Sequence, residues 1–372
     1  MMKTRDLMRM LLNINGWHTK KKYVVIASDD WGGIRNASIQ SRQNLIKLGL
    51  NMEDNRFDRY DTLESNKDMD ELFNVLLKYK DCQGNHPVFS AITNVANPDF
   101  EKIKAYEYSK YFYELMDVTL ATNENSNKVM DYYKKGIELN IFRPELHGRE
   151  HVQVNWLMQD IQNRNSLIFK AFENKYWYLS QEYIENQKRR WYGAAFDVAN
   201  FDDIILQEQI IEESTQLFSS LFGYESIYFT PPSGVYSEKI EKKMLTCGIK
   251  LVDVPIKQKM PLGNDRYKLK IHYTGQQSSS GIHYLIRNAL FEPNMFGCNE
   301  AVDVCLSAME INFKLNLPII ISNHRTSFVG SIDVKNREMG LKSFDLLLKK
   351  MLVKWPDIEF VSPSTLYTNF VK

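Results

Sequence analysis

The sequence predicts an α/β fold with a mainly parallel sheet or barrel. Short β-rich runs recur at 23–28, 88–95, 139–144, 193–197, 227–231, 250–254, 319–323 and 359–362. Helical periodicity marks 68–80, 152–163, 204–221, 237–247, 299–314 and 341–354. Several runs therefore lie beside a helix, as strands joined by crossover helices do. The run PIIIS at 318–322 is apolar without alternation, the pattern of a strand covered on both faces.

Composition narrows the function. At 372 residues and 44% hydrophobic, the chain can bury a large core. Lys+Arg 47 against Asp+Glu 46 leaves a net charge of +1, without the basic excess of a nucleic-acid binder. Basic clusters at 20–22 and 188–190 are short and read as solvated faces. Four cysteines, at 82, 247, 298 and 305, form no CxxC pair and no zinc-finger spacing, and fit reduced thiols. No apolar run reaches the ~18–20 residues of a membrane span. The start, MMKTRDLMRMLLNINGW, is interrupted by Arg5, Asp6 and Arg9 and shows no small-residue cleavage site, so a cytoplasmic protein is expected. That start reads as an amphipathic helix docked on the body, with weak contact to a membrane surface as the lesser reading.

The elements carry their chemistry at their ends. YVVIAS, the first strand, runs into Asp29, Asp30, Trp31, Gly32 and Gly33. Two adjacent carboxylates there are costly unless they are paired, bound to a metal or simply at a surface turn. Residues 35–66, polar and rich in Asn, Asp and Arg, form an excursion of the length usual for functional loops or lids. Next comes ELHGREHVQVNW at 145–156, where His147 and His151 are four apart and His151 opens an amphipathic helix. Positions i and i+4 project to one side, and two neutral imidazoles there suit zinc or a similar divalent ion. Gly148 rather than glutamate follows His147, which excludes the metalloprotease HExxH.

Strand-end groups of a parallel α/β fold emerge at the carboxyl edge, so the Asp pair and the His pair should meet. One aspartate with two histidines makes a three-ligand site with open positions, and the second aspartate is placed as a base. Farther on, IYFTPPSGVYS at 227–237 runs a strand into Pro231 and Pro232, which stiffen the loop. Strands without helices between about 266 and 292 suggest an inserted hairpin near the rim, with QSSSG at 277–281 as a turn. His324 ends IIISNH at the same predicted edge, and 358–366 looks like a closing strand. No repeat, low-complexity tract or linker divides the chain. A segment 1–22 and a single domain 23–372 are expected, with insertions around 35–85, 97–137 and 266–292.

The order of these features resembles the polysaccharide deacetylase family, the NodB-homology group or carbohydrate esterase family four, over residues 23–325. The resemblance implies an irregular (β/α)7 barrel and hydrolysis of N- or O-linked acetyl groups on a glycan or polysaccharide. It implies Asp29 as catalytic base, His324 as general acid, and Asp30, His147 and His151 as ligands of one divalent ion, Zn2+ or another. The backbone N–H of Ser233 would face the oxyanion. Several positions depart from the family. Thr230, Pro231, Pro232 and Ser233 stand where an Arg-Pro-Pro-Tyr-like stretch is usual, so the arginine that orients the base is missing, and Arg149 or Arg325 is the candidate replacement. Asp253 matches the acidic residue that supports the acid histidine, without the tryptophan expected after it, and Trp31 follows the Asp pair where small residues are usual. These changes leave a second reading, a catalytically silent relative that binds a glycan or a partner. A third is a non-haem Fe(II) enzyme on the same Asp/His/His set, which the strand–helix alternation disfavours.

Overall fold

The computed structural model describes residues 14–184 and 191–371. The expected N-terminal helix falls largely on residues 1–13, and the basic cluster on 188–190; both lie outside the described residues. Its strands in chain order are β1 (Lys22–Trp31), β2 (Phe89–Asn94), β3 (Ala96–Pro98), β4 (Tyr113–Leu115), β5 (Phe142–Gly148), β6 (Tyr228–Phe229), β7 (Leu251–Asp253), β8 (Lys257–Gly263), β9 (Arg266–Ile271), β10 (His283–Leu285), β11 (Ala289–Leu290), β12 (Ile319–His324) and β13 (Ile358–Phe360). The main sheet is parallel, in the order β10-β7-β6-β5-β2-β1-β12-β11, with β13 paired to the start of β1. It curls into a half-barrel, so the predicted α/β barrel-like fold is the one observed.

Period-two alternation sorts β1 between two layers. Val24 and Ile26 pack outward with Phe89, Ala91, Ile319 and Ile321 beneath the helices α1 (Asn66–Leu76), α2 (Val129–Glu138), α3 (Cys298–Lys314) and α4 (Val334–Lys354). Tyr23, Val25 and Ala27 face the concave side with Ile92, Tyr228, Leu251, Leu285 and Ile320. Helix α5 (Pro363–Phe370), capped by Ser362, sets Leu366 on that inner layer. Apolar residues thus fill the barrel below, and polar strand ends are left to the carboxyl edge.

Some expected elements differ. Residues 193–197 form turns rather than a strand: the apolar contacts of that run go sideways, as when Phe196 packs edge-on against Phe229, and not into a ladder. His151 sits in a bend ahead of the helix Val154–Asp160, whose N-cap is Gln153, so the two histidines converge from a strand end and a loop. The inserted hairpin is β8–β9, antiparallel over 257–271, whereas β10 and β11 belong to the main sheet. Residues 358–366 make β13 and the first turn of α5. Within 35–66 lie two short helices, Ile39–Lys47 and Arg56–Tyr60, capped by Ser38 and Asn55.

Helix α4 crosses the turn after β12 at close range. A Cβ at Gly340 would lie 1.7 Å from the Ser327 carbonyl oxygen, a backbone atom that cannot swing aside. Gly340→Ala is expected to cost about 3 kcal/mol, the upper range of overpacking, read as a lower urea midpoint with unchanged slope. An unchanged midpoint would show that the helix can retreat freely.

Candidate metal centre

Adjacent residues of a strand normally point to opposite faces, yet both aspartates reach one site. The cause is local. The pairing of β1 with β2 slips between Ser28 and Trp31, and Asp30 adopts φ 74. A bulge of this kind re-aims a side chain, and aspartate tolerates the left-handed region better than most residues. Gly32 continues the turn at φ 72, where a Cβ would approach the Asn94 carbonyl oxygen to 2.6 Å.

Asp30 turns towards the histidines. Its Oδ1 lies 3.3 Å from His147 Nε2 and 3.4 Å from His151 Nε2. Ligand atoms about 2.0–2.1 Å from one ion, splayed at tetrahedral angles, would be about 3.3 Å apart. His147 Nδ1 donates to the Thr230 carbonyl oxygen at 2.6 Å, which aims Nε2 at Asp30 with its lone pair free. That Nε2 is buried with no aligned hydrogen-bond partner. Burial pushes the His151 imidazole down to about 3, so it is neutral and able to ligate. One carboxylate and two imidazoles with mutually close donor atoms fit a divalent ion with open coordination positions. Trp177 stacks on His151, with centroids 6.0 Å apart and planes at 27°.

Asp29 turns the other way. It pairs in register with His324 across β1 and β12, and its Oδ2 lies 3.7 Å from His324 Nε2. Arg287, between β10 and β11, grips the carboxylate with both terminal nitrogens, Nη1 to Oδ2 at 2.7 Å and Nη2 to Oδ1 at 2.6 Å. Burial works against an ionised Asp29, but Arg287 and His324 outweigh it and hold its pKa below the ordinary value. The Nε of Arg287 donates to Asp253, which also accepts from Tyr228 Oη at 2.9 Å. His324 is held from behind by Glu292 through Nδ1. Burial disfavours the imidazolium, but Glu292 and Asp29 prevail and raise its pKa above 6.5. Arg56, from the excursion, clasps both oxygens of Glu292, and Ser327 Oγ donates to it at 3.1 Å.

The structure therefore brings together Asp29, Asp30, His147, His151 and His324, and reassigns several neighbours. Asp253 does not touch His324; it anchors Arg287, and Glu292 stands behind the histidine. Neither Arg149 nor Arg325 reaches Asp29. Arg149 pairs with Glu150 and Glu213, and Arg325, fully buried, donates to Asp61, Glu64 and the Gly33 carbonyl. Trp31 is core, edge-on to Phe89 and Phe142 with its indole N–H on Ser28 Oγ at 2.9 Å, so it cannot contact a substrate. Pro231 is buried, and Ser233, at φ 61, donates through Oγ to the Gly193 carbonyl at 3.1 Å. The sequence does not single out Arg287 and Glu292, because 266–292 reads as a hairpin inserted near the rim. Their signal was charge embedded in the apolar stretch LIRNALFEP.

No protein-family model and no curated protein matches the chain. Among solved structures it is similar to a provisionally assigned polysaccharide deacetylase from Mycobacterium smegmatis, with TM-score 0.45, 9% identity, and 95% of this chain and 92% of that one covered. It is similar also to PuuE allantoinase (TM-score 0.47, 9% identity, 94% and 90% covered) and to a CE4-family pseudoenzyme from Bacillus anthracis (TM-score 0.39, 9% identity, 92% and 64% covered). Likenesses this distant do not decide the chemistry, which is argued from the site.

Proposed function

We propose that the chain is a metal-dependent hydrolase that removes acetyl groups from a glycan. The observation that carries this reading is the division of labour between the adjacent aspartates: Asp30 faces two imidazoles, while Asp29 faces a guanidinium and the acid histidine. A divalent ion held by Asp30, His147 and His151 would polarise an acyl oxygen and lower the pKa of water towards ~7. Asp29, kept ionised and oriented by Arg287, accepts the proton as the water oxygen bonds to the acyl carbon. His324 then gives its Nε2 proton to the departing nitrogen or oxygen as the bond to the acyl carbon breaks, releasing acetate and an amine or alcohol. The arginine missing from the proline-rich stretch has a spatial substitute in Arg287, which weighs against a silent relative. A base and an acid set opposite the ligands suit acyl hydrolysis and have no evident use in an Fe(II) oxygenase.

Acetate release from acetylated chitooligosaccharides by zinc-loaded chain is the direct test, and no release from any N- or O-acetylated sugar would overturn the proposal. The pH profile gives a second one. His324 must be protonated to act, so kcat/KM should fall as pH rises through a pKa above the ordinary 6.5 of histidine. Glu292 raises that pKa, so Glu292→Gln should move the alkaline limb to lower pH. An unmoved limb would remove His324 from the acid role.

A further inference from the structure

The β8–β9 hairpin has no part in the chemistry described above, and its composition is unlike that of the rest of the chain. Residues 257–271 carry five basic side chains and one acidic one, in a chain whose net charge is only +1. In the ladder Lys257 lies opposite Ile271 and Lys259 opposite Leu269, so these four side chains share one face. Both lysines are exposed, and Ile271 and Leu269 are 50% and 58% exposed. On the other face Gln258 and Met260 are buried, which fixes the hairpin to the body. Lys270 is paired with Glu238, but among the described residues Lys257 and Lys259 have no ion-pair partner. The hairpin leaves the carboxyl end of β7, the edge that bears the metal centre.

We propose that this face docks on an anionic lipid surface. Cations interleaved with aliphatic side chains match a bilayer interface, where lysines meet anionic headgroups and Leu269 and Ile271 enter the acyl boundary. A polysaccharide or nucleic acid would match the charge but gain nothing from exposed leucine and isoleucine, since recognition of those ligands uses aromatic stacking and hydrogen bonds. Lysines alone could serve to protect an edge strand from pairing, but that role does not call for the two aliphatic residues beside them. Docking places the carboxyl edge near the membrane, and it holds whatever reaction the metal centre performs.

The test is co-sedimentation of the full chain with vesicles of phosphatidylcholine alone or with one third phosphatidylglycerol. Binding to the anionic vesicles is expected, weakened by salt and nearly absent with phosphatidylcholine alone. Lys257→Glu with Lys259→Glu, and separately Leu269→Glu with Ile271→Glu, should each raise the lipid needed for half-binding by about tenfold or more. Thermal unfolding and acetate release from a soluble substrate should stay unchanged in both. No binding by the wild type, equal binding by the variants, or equal binding to uncharged vesicles would overturn the proposal. So would self-association in sedimentation velocity that the variants abolish without any vesicle binding.

Discussion

Asp30→Ala and His151→Ala chains are expected to carry almost no metal when purified beside a wild type that carries about one divalent ion. Each variant removes one of three donors in a site with no fourth protein ligand among the described residues. Activity should fall with the metal, and excess zinc should not restore it in Asp30→Ala. The loss must occur without unfolding, because Asp30 sits at a bulge and His151 in a bend, outside the apolar layers. A wild type that stays metal-free after zinc supplementation would remove the centre and the hydrolytic reading together.

Asp29→Asn should do the opposite, keeping the metal and losing turnover by about 10³-fold, the scale of general-base catalysis. Asparagine preserves shape but cannot take a proton. Arg287→Gln separates orientation from basicity. Asp29 and Asp253 would lose their shared cation and become two buried carboxylates with a weakened counter-charge. Its expected signature is a fall in kcat with metal content unchanged and an acid limb of the profile moved to higher pH, since Arg287 lowers the Asp29 pKa. If Asp29→Asn turned over as fast as wild type, the base would have to be sought elsewhere.

Much of this arrangement is legible in the sequence, for identifiable reasons. Strand ends were visible because apolar runs stop abruptly at charged residues, as YVVIAS does at Asp29 and PIIIS does before His324. That one aspartate and two histidines meet follows from their types and their shared edge, while the choice of Asp30 over Asp29 as the proposed ligand is what the family resemblance implies. What the sequence conceals is long-range partnership. Nothing near Asp29 in the chain points to Arg287, 258 positions away, and the strands that present it are two and three residues long, too short for periodicity to register. Arg56 was similarly hidden in an excursion whose helices are short and depend on Ser38 and Asn55 caps and tertiary contacts. Residues 193–197 read as a strand yet form turns, because a short apolar run is equally at home in a packed loop. Trp31 went astray for the opposite reason: the bulge that brings Asp30 into the site turns the tryptophan back into the core.

The contacts around Asp29 also form a continuous row: Asp253, Arg287, Asp29, His324, Glu292 and Arg56, each touching the next and each opposite in sign to its neighbours when the histidine is protonated. In the proton-loaded state the row is electrically neutral. A substrate can therefore seal the cleft and exclude water without stranding an unbalanced charge in a poorly polarisable environment. In the proposed cycle Asp29 gains a proton before His324 loses one, so the row is neutral again once the leaving group has departed. On that mechanism the row keeps its charge balance over the cycle, and turnover of a neutral soluble substrate should depend only weakly on ionic strength.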